Sequence, residues 1–142
     1  NRHMAIAELK KSLELKPDYH EALNYLGYLY VEEKQNLDEA EAMIRKALSM
    51  QPNNGAYVDS LGWLYFQQGK IKEAIKELEK AASLLEDPVI YDHLGDAYFK
   101  IGDIEKAKLN WQESLKLVPD QDKVKKKIEI EGQALTQSGV WP

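Results

Sequence analysis

The feature that most constrains this chain is that it repeats itself. Leu23-x-x-Leu26-Gly27-x-x-Tyr30 returns as Val58-x-x-Leu61-Gly62-x-x-Tyr65 and again as Tyr91-x-x-Leu94-Gly95-x-x-Tyr98, with the glycines 35 and then 33 residues apart. A second motif follows each first one. Ala40-x-x-x-Ile44-x-x-Ala47, Ala74-x-x-x-Leu78-x-x-Ala81 and Ala107-x-x-x-Trp111-x-x-Ser114 recur at intervals of 34 and 33 residues. Apolar or small residues at i, i+3, i+4 and i+7 form one stripe on an α-helix. Each repeat is therefore two amphipathic helices, A then B, stacked on its neighbours to build a shared core.

Punctuation agrees with that division. Gln35-Asn36, Gly69 and Gly102 fall between A and B, where a left-handed or open backbone ends a helix. Pro17, Pro52 and Pro119 close the B helices, each twelve residues after Ala5, Ala40 or Ala107. The middle repeat instead ends in Glu86-Asp87-Pro88, which predicts an Asp87 N-cap with Pro88 at the first helical position.

This layout resembles the tetratricopeptide-repeat family over about residues 5–119, on the motifs just quoted. The resemblance implies an all-α fold, a right-handed superhelical solenoid of antiparallel helix pairs. Two departures are visible: Ser114 stands in place of the last alanine, and the first A-to-B turn is one residue longer. A glycine inside a helix costs about 1 kcal/mol relative to alanine, so three at one register need a packing reason. Small Gly27, Gly62 and Gly95 are expected to face Ala40, Ala74 and Ala107, letting the two helices approach closely.

The chain divides as a single domain: 5–17, helix B of a partial repeat; 18–52, 53–86 and 87–119, three full repeats; 120–137, a capping helix; 138–142, a tail. It reads as a fragment of a longer array that begins mid-repeat, with Asn1–Met4 as a cloning remnant. Val124, Ile128 and Leu135 are expected to face inward on the capping helix, with Gly132 weakening its last turn. Val140-Trp141 is expected to dock on a neighbouring surface, since an aromatic side chain is costly to leave in water.

Composition closes off other classes. With 44% apolar and 30% charged residues, 142 residues fit one globular domain rather than a disordered chain. Zero cysteines exclude disulfides, thiolate zinc sites and cysteine nucleophiles. A net charge of −5 argues against nucleic acid, which is held mainly through phosphate neutralisation. Lys123, Lys125, Lys126 and Lys127 form a local basic run, read as a solvated helix face with Glu129 and Glu131 close behind. No stretch approaches the ~20 apolar residues of a membrane-spanning helix.

The family resemblance further implies that the A helices line a concave groove and meet ligands along one stripe. Equivalent positions are Glu21, Ala56 and Val89; Asn24, Asp59 and Asp92; Tyr28, Trp63 and Asp96; Val31, Phe66 and Phe99; Glu32, Gln67 and Lys100. Leu23, Leu26, Tyr30 and their counterparts already fill the A-to-B core. Tyr28, Trp63 and Phe66 are thus surplus apolar side chains that either pack between repeats or await a ligand. Charge gathers on the same elements, the A helices summing to −6 and the rest of the chain to +1. The candidate ligand-binding set is Asn24, Tyr28, Asp59, Trp63, Phe66, Asp92, Asp96 and Phe99. An acidic, aromatic groove of this kind attracts a basic or amphipathic peptide or protein segment.

The family's two-carboxylate clamp grips an acidic chaperone terminus with Lys, Asn and Arg. Here those positions hold Asn24, Tyr28, Ser60, Val89 and His93, so that role is not expected. A hydrolase triad from Ser60, Asp59, Asp92 and His93 lacks a strained elbow and oxyanion donors. Asp92-His93-x-x-Asp96 could in principle hold a metal, but it reads as a solvated face. No phosphate loop or HExxH motif occurs. The expected function is a non-catalytic protein–protein interaction scaffold without cofactors. The alternative is a structural module that self-assembles into homo-oligomers through its open repeat end and tail. The wording of Asp59-Ser60-Leu61-Gly62-Trp63 and His93-Leu94-Gly95-Asp96 is similar to bacterial scaffold and adaptor proteins of this family, leaving a cytoplasmic or a periplasmic and envelope setting open.

Overall fold

A computed structural model describes the backbone of residues 1–138 and the side chains of residues 1–130. Leu135, Gly132 and the 139–142 tail with Val140-Trp141 lie outside the described side chains. Among the described residues there are eight helices and no strand: α1 (Arg2–Leu15), α2 (His20–Glu33), α3 (Leu37–Met50), α4 (Gly55–Gln67), α5 (Ile71–Leu84), α6 (Pro88–Lys100), α7 (Ile104–Leu117) and α8 (Asp122–Ser138). The chain forms two compact units, Asn1–Leu85 and Glu86 onward, and each is treated by itself.

In the first unit α2 and α3 form one helix pair, α4 and α5 the next, and α1 packs on α2. Arg2, His3 and Met4 are already helical: Asn1 Oδ1 accepts from the His3 and Met4 amides and caps α1. Leu26, Val31, Ile44 and Leu64 have no solvent exposure and form a core with Tyr30, Leu61 and Trp63. Asp59 is the only Asp, Glu, Lys or Arg in α4, and the helix buries a continuous run from Tyr57 to Leu64 against α2, α3 and α5. A helix apolar on every side has to be enclosed on every side.

The turn chemistry follows the sequence with one variation. Gly69 takes φ +81° between α4 and α5, and Gly102 takes φ +86° between α6 and α7. The longer first turn instead puts two non-glycine residues, Lys34 and Asn36, in the left-handed region. The Asp87 cap is as expected, its Oδ1 accepting from Val89 N at 2.7 Å with Pro88 opening α6, and Asn54 Oδ1 caps α4 by accepting from Tyr57 N at 3.2 Å.

The repeat glycines do make room, but not for alanine. A Cβ on Gly27 would fall 2.8 Å from Ile44 Cγ1, one on Gly62 2.7 Å from Leu78 Cγ, and one on Gly95 inside the indole of Trp111. Each glycine therefore admits the large B-helix side chain one turn beyond the alanine. At Gly27 the Ala40 carbonyl oxygen is also close, at 3.2 Å.

In the second unit α6 pairs with α7, and α8 packs on α7. Ala107, Trp111 and Val124 are buried together, with Tyr98, Leu115 and Ile128 against them. The departure at Ser114 has a local reason. Fully buried, it donates to the Pro88 carbonyl at 2.8 Å and accepts from Gln121 Nε2 at 3.1 Å, tying the start of α6 to the link between α7 and α8.

Candidate functional site

Neighbouring A helices α2 and α4 enclose a cavity of about 350 Å³ in the first unit. Glu21, Asn24, Tyr25 and Tyr28 line it from α2; Ala56, Tyr57, Asp59 and Ser60 line it from α4. Three of the sequence candidates, Asn24, Tyr28 and Asp59, thus share one cavity. The Oδ1 of Asn24 is buried there without a hydrogen-bond partner among the described residues. An unsatisfied buried acceptor costs about 1–3 kcal/mol.

Two aromatic groups that the sequence reading missed complete the cavity. Tyr25 is 54% exposed and flanks it, while Tyr57 is buried in its wall. The Tyr57 hydroxyl and His20 Nδ1 share a hydrogen bond of 2.6 Å, and the two rings meet edge to face at 5.8 Å. Burial raises the Tyr57 hydroxyl above its ordinary value, with Glu21 and Tyr19 adding in the same direction. Ser60 Oγ donates back to the Ala56 carbonyl of its own helix at 3.1 Å.

Trp63 is packed into the core of the first unit. Its ring is 8% exposed, stacks on Phe66 at 4.5 Å and 9°, and donates from Nε1 to Glu32 Oε2 at 3.3 Å. Phe66 and Tyr28 are partly buried against the same core, and Tyr28 also reaches the cavity.

The acidic candidates of the second unit are already engaged. Lys127 on α8 places Nζ 2.7 Å from Asp92 Oδ1 and 2.9 and 3.1 Å from the two carboxylate oxygens of Asp96. Trp111 Nε1 also donates to Asp96 Oδ1, at 3.2 Å. Burial is the largest influence on Asp96 and lifts its carboxyl above the ordinary 3.8, with Asp92 adding and Lys127 opposing. Burial works against the Lys127 ammonium, yet the two aspartates outweigh it and hold its pKa above the ordinary value. The solvated reading of the basic run therefore holds for Lys123, Lys125 and Lys126, which are exposed, and fails for Lys127, which turns inward to two carboxylates. Phe99 is 39% exposed, its ring 6.1 Å from Trp111. His93 is buried, and no group of three or more candidate metal ligands occurs among the described residues.

Helix pairs of nearly equal length, with a glycine seated under a large side chain in each, define the repeat. A family profile described as Tetratricopeptide repeat matches residues 3–124. The chain belongs to the tetratricopeptide-repeat family. Members of this family mediate protein–protein interactions and are typically non-catalytic.

Among tetratricopeptide-repeat structures, a thermophilic protein of Thermus thermophilus aligns with a TM-score of 0.76 at 18% identity, covering 89% of this chain and 70% of that one. The first repeat domain of Spaghetti (RPAP3), bound to the HSP90 peptide SRMEEVD, aligns at 0.74 and 24% identity, covering 82% and 93%. By sequence, the mitochondrial import receptor subunit TOM70 of two Saccharomyces cerevisiae strains is 39% identical over 59 residues, which is 42% of this chain. The match spans 10% of that receptor's length. Among the described residues, no helix is long and apolar enough to cross a membrane.

Proposed function

We propose that this tetratricopeptide-repeat chain is a non-catalytic scaffold that binds a basic or amphipathic segment of a partner protein in the α2–α4 groove of its first unit. The observation that carries this reading is a groove with Asn24 in its wall, flanked by exposed Tyr25, partly buried Tyr28 and two carboxylates, Glu21 and Asp59. Apolar side chains rest on the tyrosines, and a lysine or arginine meets the carboxylates. The groove stands preformed on two packed helices, so ordering falls mostly on the partner. An acidic peptide such as the one in the RPAP3 complex finds no cation at Asn24, Tyr28 or Ser60.

The test uses a fluorescein-labelled peptide of alternating lysine and leucine, with anisotropy read against wild type, Glu21→Lys and Tyr25→Ala. Both substitutions are at exposed positions, so circular dichroism is expected to stay unchanged. Each should weaken binding by about fivefold or more, the loss of an interface anchor worth ~1 kcal/mol. Equal or tighter binding of an alternating glutamate–leucine peptide would overturn the proposal.

A further inference from the structure

Asp92 and Asp96 lie one helical turn apart on α6, and two neighbouring, partly buried carboxylates favour a counter-cation. The chain supplies it from α8 through the three Lys127 contacts described above. Val124 is buried against Ala107 and Trp111 and Ile128 packs beside it, while Lys123, Lys125, Lys126, Glu129 and Ile130 are exposed.

We infer that α8 is a competitor in cis: Lys127 occupies the acidic face of α6 as a built-in ligand and closes it to a basic partner until α8 lifts away. The inference rests on reading the acidic A-helix positions as seats for basic segments, since Asp92 is the repeat equivalent of Asp59. Lys127 shows that this face accepts an ammonium delivered from outside the α6–α7 pair. An incoming lysine restores the pairing that Lys127 gives up, so exchange leaves no buried charge uncompensated. Opening without a replacement leaves two partly buried carboxylates facing each other. Release of α8 and arrival of a basic segment are therefore linked, and each favours the other.

The experiment compares wild type, Lys127→Met, Lys127→Arg, and Lys127→Met combined with Asp92→Asn and Asp96→Asn, all in the full chain. Hydrogen exchange follows the amides of α6, α7 and α8, and anisotropy follows the alternating lysine–leucine peptide. Lys127→Met is expected to speed exchange in α8 while α6 and α7 stay protected, and to tighten peptide binding by about tenfold. Lys127→Arg should behave as wild type, and the added asparagines should abolish the gain. An unchanged α8, an unchanged affinity, or a gain that survives the asparagines would each overturn the inference. The groove of the first unit is scored separately, by the response of wild type to Glu21→Lys and Tyr25→Ala. A wild type indifferent to those changes, with the Lys127→Met gain intact, would discard the first-unit site and keep the competitor.

Discussion

Gly62 faces Leu78 so closely that an added Cβ would sit 2.7 Å from Leu78 Cγ and 3.2 Å from its backbone nitrogen. Two effects compete in Gly62→Ala. Alanine gains about 1 kcal/mol of helix propensity, and overpacking a fully buried site costs about 1–3 kcal/mol. The backbone nitrogen cannot rotate aside, so the steric cost wins and urea denaturation should show a net loss of about 1–2 kcal/mol. A variant as stable as wild type would mean that α4 and α5 separate easily.

That glycine also marks where sequence reading succeeds and where it stops. Period and spacing expose the helix pairs, the A-to-B core at Leu23, Leu26 and Tyr30, and the need for a small residue at Gly62. They do not reveal which B-helix side chain descends onto it, because that depends on how far one helix slides along the other. Tyr25 and Tyr57 escape notice for a similar reason, since each lies one or two residues off the stripe chosen as ligand-facing and reaches the cavity only through the angle between α2 and α4. Lys127 sits in a run of three consecutive lysines, and nothing in their spacing distinguishes the one that meets Asp92 and Asp96. Trp63 is recognisable as surplus to its own helix pair. That it stacks on Phe66 and bonds to Glu32 is a matter of tertiary packing.

Ser114 stands where the family pattern has alanine, and Ser114→Ala should nevertheless destabilise the chain. The substitution leaves the Pro88 carbonyl without its 2.8 Å donor and removes one acceptor from Gln121. Losing one partner of a buried hydrogen bond costs about 1–3 kcal/mol. Chemical denaturation should record that loss, with Gln121→Ala producing a smaller one because Gln121 is only partly buried.

Asp96 gives the second unit a signature in acid. Its folded-state pKa lies above the ordinary 3.8, so its contribution to stability is fully present below that value. The contribution is lost as pH rises through the folded-state value. Denaturation midpoints of wild type and Asp96→Asn between about pH 3 and about pH 7 should therefore show wild type losing ground to the variant as pH climbs. A difference independent of pH would mean that Lys127 compensates the carboxylate fully.

Tyr57 acts at the opposite end of the pH scale. Its hydroxyl is raised above the ordinary 10.0, chiefly by burial, so the neutral form is favoured in the fold. The resulting stability is present below pH 10.0 and lost as pH rises through the folded-state value. Tyr57→Phe gives up the hydrogen bond to His20, worth about 0.5–1.5 kcal/mol at neutral pH. The variant should in return lose less stability than wild type between about pH 9 and about pH 11. Parallel alkaline curves would place the hydroxyl in contact with water.

Trp63→Ala tests the fold rather than the groove. The ring is 8% exposed, stacked on Phe66 and bonded to Glu32, within a core that includes Leu26, Ile44 and Leu64. Truncating a buried tryptophan typically costs about 3–5 kcal/mol, a large share of the stability of a small domain. Urea denaturation should show a loss of that size, and peptide binding should fall only in proportion to the unfolded fraction. If Trp63→Ala keeps its stability and loses the lysine–leucine peptide, the indole is a ligand contact and its packed position is not the one that binds.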